Sequence, residues 1–187
     1  MTTNNLTTFV MDTPIGKIKI TADKKNVYKT EFVEVGSKPP QGYPKVINFA
    51  VMYLQAAKTT NFMLKQAIKE IAAYFDQGAR MFELPVSLDD AGTPFEIEVW
   101  ETLRTIPYGV TVTPADIARY LETEDLDAVT AAIDANPLPV VIPSHRIAGS
   151  VLGKNPDVGN YAGGKWRKEW LLNHERVSLG RLKRDII

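Results

Sequence analysis

Three prolines in close succession, Pro137, Pro139 and Pro143, constrain this chain more than any other feature of it. A proline ring fixes φ near about −65°, removes a backbone donor, and pushes the preceding residue out of the helical region. Residues 136–143 are therefore not helix. Between the prolines lies an apolar run, Val140-Val141-Ile142, and behind them come Ser144-His145-Arg146 and Ile147-Ala148-Gly149-Ser150. A polar cluster carried on a stiff, half-apolar loop is how a site is held still. The same pattern also fits a buried crossover strand with a polar end.

The length, 187 residues, allows one large domain or two small ones. The polar, turn-prone Asp89-Asp90-Ala91-Gly92 is the best boundary. It predicts a first domain over 1–88, a second over 92–180, and a loose basic tail over 181–187. There is no cysteine, which excludes disulfides, thiolate metal sites and thiol catalysis. His145 and His174 are the only histidines, too few for a histidine-rich metal site, so no metal and no cofactor is expected. Lys+Arg and Asp+Glu balance at 22 each, so any binding to nucleic acid needs a local basic face. No run approaches the roughly 18 apolar residues of a membrane span. The N-terminus shows no basic segment followed by an apolar one. The expectation is a nuclear or cytoplasmic protein with no membrane partner.

Residues 9–34 read as a β meander. Asp12-Thr13-Pro14-Ile15-Gly16 and Asp23-Lys24-Lys25-Asn26 are turns, and Lys17 to Thr21 alternates polar and apolar. A Pro/Gly loop fills 36–44, and 45–57 fits strand or helix equally. Phe62 to Phe75 carries an apolar stripe, Leu64, Ala67, Ile68, Ile71, Ala72 and Phe75, and predicts a helix stopped by Gly78. Met81 to Val86 reads as extended. Thr93-Pro94-x-Glu96 is a capping box opening a helix through Leu103. Val110 to Val112 is a short extended piece. Thr113-Pro114-x-Asp116 opens a second helix, and the acidic turn Thr123-Glu124-Asp125 a third, through Ile133. Two short helices about a tight turn suggest a helix-turn-helix, with a plain helical hairpin as the alternative. Gly159 to Gly164 precedes a last helix over Lys165 to Glu175.

Asn-Pro-x-Pro-Val-Val-Ile-Pro-x-His-Arg, from Asn136 to Arg146, resembles the active-site motif of the O6-alkylguanine-DNA alkyltransferases. The resemblance extends to Thr13 to Gly16, Tyr74-Phe75, Phe82 to Pro85, Gly92 to Phe95, Val99-Trp100, Ile106 to Gly109, Asn160 to Gly164, Lys168, and Leu171 to Glu175. It implies a small α/β domain resembling ribonuclease H, followed by a mainly helical, helix-turn-helix (winged-helix-like) domain holding the acceptor site. It further implies a suicide repair reaction, in which a cysteine takes the alkyl group from a guanine flipped out of double-stranded DNA. By the same resemblance Asn136 buttresses the site, and His145 and Glu175 activate the acceptor through water. Pro139, Ile147, Tyr161 and Ala162 would line the purine pocket.

Three positions depart from the family. The acceptor position holds Ser144. Pro114 stands where a tyrosine usually crowds the target phosphate, and Asp127 where an arginine enters the base stack. Displacement at an alkyl carbon wants a soft, pre-ionised nucleophile, which a thiol supplies and a hydroxyl does not. Glu122 to Asp134 carries five acids and no cation, which a phosphate backbone repels. Arg119, Arg146, Lys165 and Arg167 are the nearby positive charges, with Arg146 expected to brace the loop. The expected function is a family member inactive in alkyl transfer, with weakened binding to DNA. Three alternatives stay open: a repair enzyme with serine put in place of cysteine, a module using the acidic helix on a basic protein partner, and a Ser144-His145-Glu175 hydrolase.

Overall fold

The computed structural model describes residues 5–34, 36, 38, 39, 41, 42, 48–149 and 158–185, with side chains through 176. Parts of the expected 36–44 loop, the start of the 45–57 segment, Ser150, and the last two residues of the expected tail lie outside that set. The fold is mixed α/β and divides into two units. One comprises residues 1–35 and 39–91, the other 36–38 and 92–187.

The first unit is built on an antiparallel sheet of three strands in chain order: β1 (Thr7–Thr13), β2 (Gly16–Ala22) and β3 (Val27–Phe32). Strand alternation sends Met11, Ile18, Ile20, Ala22, Val27 and Phe32 inward, and all are buried. A sheet with one apolar face needs a cover. Helix α2 (Phe62–Phe75) packs against all three strands and supplies it. The six residues of its apolar stripe are buried, each large one worth about 1.5–3 kcal/mol. The Asn61 side chain caps it by accepting from Leu64 N–H at 3.0 Å.

One detail differs from expectation. The residue that turns left-handed behind α2 is Gln77, at φ 64°, one position before the glycine expected to do it. The ambiguous segment becomes α1 (Phe49–Leu54), continued by a 3-10 turn over Gln55–Lys58. The segment expected to be extended, Met81 to Val86, holds no helix and joins the sheet through one parallel bridge, Val86 to Val27.

In the second unit, α3 (Pro94–Arg104) and α4 (Pro114–Tyr120) each begin with a complete capping box and a proline in the first turn. α5 (Leu126–Asp134) is capped by Asp125, which accepts from Ala128 N–H at 2.9 Å. The α4–α5 connection turns on Glu122 at φ 53°. α3 and α5 are pinned where buried Trp100 donates Nε1–H to Ala132 O at 2.7 Å. Of the expected extended piece, Val112 pairs with Ile147 in a parallel bridge. The last helix, α6 (Lys165–Asp185), runs ten residues past the predicted end at Glu175 and absorbs most of the segment expected to be a loose tail. No helix among the described residues is long and apolar enough to cross a membrane.

Candidate functional site

The proline-bounded loop closes on itself through Asn136. Its Oδ1 accepts from Leu138 N–H at 2.9 Å, which fixes the orientation of the amide. Its Nδ2 then donates to Ile142 O and to Ser144 Oγ, both at 2.9 Å. Ile142 N–H returns to Leu138 O at 2.8 Å. Ser144 N–H donates to Ile142 O at 2.8 Å across Pro143, at φ −81° and ψ 56°, an inverse γ-turn whose φ the proline ring favours. Val140, buried between the prolines, sits at φ 78°. A β-branched residue there is strained by about 1–3 kcal/mol, and persists because its neighbours hold it.

The loop delivers Ser144, His145 and Arg146 as one 3-10 turn, all buried: Ser144 is 4% exposed and His145 not at all. α6 presents Glu175 to them, 1% exposed. His145 Nε2 lies 2.8 Å from Glu175 Oε1. Arg146 donates Nε to both carboxylate oxygens, at 3.2 and 3.1 Å, and Nη2 to Oε1 at 3.0 Å. Gly109 N–H completes the set on Oε2 at 2.7 Å. Arg146 Nη1 also donates to Ile106 O at 2.6 Å, with Tyr108 under its guanidinium at 5.6 Å. Gly109 has φ 74°, which only a glycine adopts at little cost.

Burial works to raise the pKa of Glu175, but hydrogen bonds and charge from His145 and Arg146 outweigh it and hold the carboxyl well below its ordinary range. Burial dominates at His145 and lowers its pKa against the pull of Glu175. The ring is thus neutral, with its hydrogen on Nε2 facing the carboxylate, which leaves Nδ1 as a base. Both shifts have the same consequence. Below about 6.5 the unfolded chain takes up a proton on residue 145 that the folded chain refuses. Below about 4.3 the same holds for residue 175. The denaturation midpoint should therefore fall as pH drops from about 7 to 5, and the fall should vanish in His145→Gln. A midpoint flat across that range contradicts a buried neutral ring.

Of the residues singled out in the sequence, Asn136, Ser144, His145 and Glu175 meet here. Pro139 and Ile147 are buried in the same loop. Tyr161 sits edge-on to His145 at 6.3 Å, and burial raises its pKa. Ala162 is exposed. Pro114 opens α4, and Asp127 is exposed in the first turn of α5. The helix dipole favours a carboxylate at that position, so Asp127 also has a structural reason to be there.

The expected pool of cations is smaller than the sequence suggested. Arg146 and Arg167 are buried, Arg167 donating to Gly163 O at 2.6 Å. Arg119 is exposed but paired with Asp116 at 3.0 Å. Lys165 is exposed. Residue types alone did not reveal the part of Gly109 and Ile106. The signal was the glycine closing the Ile-Pro-Tyr-Gly turn.

The family model described as "6-O-methylguanine DNA methyltransferase, DNA binding domain" matches residues 94–177. The chain is 31% identical over 168 residues to a probable methylated-DNA–protein-cysteine methyltransferase of Acanthamoeba polyphaga mimivirus, covering 89% of this chain and 95% of that one. It is 48% identical over 85 residues to the methylated-DNA–protein-cysteine methyltransferase of Shigella flexneri, covering 45% of this chain and 47% of that one. That match spans about half the length of the Shigella relative. Among solved structures, Mycobacterium tuberculosis OGT in complex with DNA superposes with a TM-score of 0.68 at 26% identity, over 90% of this chain and 92% of that one.

Proposed function

The chain belongs to the methylated-DNA–protein-cysteine methyltransferase family of DNA-repair alkyltransferases, and we propose that this member engages O6-alkylguanine in DNA without accepting the alkyl group. The observation that carries this reading is the pairing of an ordered site with the wrong nucleophile. Asn136 donates to Ser144 Oγ, and the next residue, His145, is paired with Glu175, yet residue 144 offers a hydroxyl. A thiol near neutral pH is partly ionised; a serine hydroxyl is less so by many orders of magnitude. The neutral ring of His145 does not close that gap. The geometry suits equally a repair enzyme in which serine replaces cysteine, because the chemistry at position 144 is then the same.

In this reading the first unit corresponds to the family's ribonuclease H-like domain. α4 and α5 form its helix-turn-helix, and the base enters the pocket by flipping. The DNA-facing side is weak. Pro114 cannot crowd a phosphate as a tyrosine does, and Asp127 meets the duplex with like charge. Each phosphate neutralised by a cation contributes about −0.9 to the slope of log K against log salt. Fluorescence anisotropy with a duplex bearing one O6-methylguanine tests the proposal. The unmodified protein should bind it at low salt in preference to the plain duplex, and release it with the methyl group still on the base. Asp127→Arg should tighten binding to both duplexes about tenfold and steepen the salt slope by about one. Tight, salt-sensitive binding by the unmodified protein, unchanged in Asp127→Arg, would overturn the account of the acidic helix.

A further inference from the structure

A cavity of about 220 Å³ opens in the second unit between the end of α3, the turn after it, and α4. Thr105, Ile106, Pro107, Val112, Ile117 and Tyr120 line it. It is smaller than the roughly 300–1,000 Å³ of a small-molecule site, and its size suits one apolar side chain. The surface around it is unusual in two respects. Tyr120, on its wall, is 70% exposed, and Val110 and Leu126 are also exposed nearby in sequence, so apolar surface is left in water. From Thr113 to Ala135 the chain carries six carboxylates against one cation, Arg119, which is bound to Asp116. Glu122, Glu124, Asp125 and Asp127 are all exposed directly after Tyr120. Apolar patches with a charged rim mark interaction sites, and a rim of one sign selects a partner of the other.

We propose that this groove docks a protein segment whose apolar anchor is flanked by lysine or arginine. The apolar wall supplies the seat, and the carboxylates of the α4–α5 turn and the start of α5 supply the complementary charge. That charge weakens the DNA contact proposed above for α4 and α5 and favours a basic peptide, and a second copy of this surface would repel itself. The Ser144 site takes no part, so the inference stands whether or not position 144 transfers an alkyl group.

The probe is a short amphipathic peptide with leucine and lysine at helical spacing, titrated into the full-length ¹⁵N-labelled protein and followed by amide shifts and anisotropy. Shifts should concentrate over residues 102–127. Tyr120→Ala, at an exposed position that leaves the fold intact, should weaken binding at least about tenfold, as loss of an aromatic anchor does. Glu124→Lys should weaken it several-fold and flatten its salt dependence. The same peptide with glutamate for lysine should not bind. The proposal is overturned by absence of binding, by shifts centred elsewhere, by equal affinity in Tyr120→Ala, or by sedimentation showing that this face joins two copies of the chain.

Discussion

Glu175→Gln should lower the unfolding free energy by about 3–5 kcal/mol, the cost of removing one partner from a buried ion pair. The size follows from what the carboxylate holds. It takes three buried contacts from Arg146, one buried contact from His145, and a partly buried one from Gly109 N–H. Glutamine keeps the shape but loses the charge, so the Arg146 guanidinium is left buried beside a neutral amide. Its remaining acceptor, Ile106 O, is a single carbonyl. Urea denaturation checks the prediction, with a reduced midpoint and an unchanged slope. Arg146→Met in the same chain should recover part of the loss, because no unpaired buried charge then remains. A loss under about 1 kcal/mol would mean that the pair behaves like an exposed one.

The second large effect concerns chemistry. Ser144→Cys should convert a chain that takes up no methyl group into one that takes up one per molecule from O6-methylguanine in duplex DNA. Asn136 would donate to sulfur as it does to Ser144 Oγ, and His145, held in its tautomer by Glu175, would remain the base. Sulfur, its proton passed to His145, then attacks the methyl carbon as that carbon's bond to guanine O6 breaks, and guanine leaves in its carbonyl form, taking a proton at N1. The reaction should be slow at low DNA concentration, because Pro114 and Asp127 are unchanged. Adding Asp127→Arg should raise its rate more at limiting DNA than at saturation. An inert Ser144→Cys protein that still melts like the parent would show that the pocket has decayed along with the nucleophile.

The features legible in the sequence are mostly those set by neighbours along the chain. Asn61 before α2, the Thr93/Glu96 and Thr113/Asp116 boxes, and the period of the Leu64 to Phe75 stripe each act within a few residues, so residue types suffice to place the helices. Ser144 and His145 stood out locally, as a polar cluster behind the prolines, whereas Asn136 and Glu175 were named through a resemblance of motifs. What joins them was less legible, because it depends on folding. Gly109 meets Glu175 across 66 residues, and Arg146 meets it across 29. Val140 at positive φ runs against the preference of valine, and the surrounding prolines and the Asn136 bonds impose it. Segment 45–57 fitted strand or helix, and the part that is helix is capped by Asn48 and packs on α2 and β1. Asp127 read as a charge set against DNA. The fold adds that it also sits where the dipole of α5 favours it.

The central claim is that a hydroxyl at position 144, in an otherwise ordered site, does not accept an alkyl group. Intact-mass and peptide mass spectrometry of the unmodified protein, after long incubation with excess duplex containing O6-methylguanine, tests it most directly. The mass should be unchanged and the lesion recovered intact in the DNA. A protein heavier by one methyl group, with the increment on the peptide containing Ser144, would contradict the account.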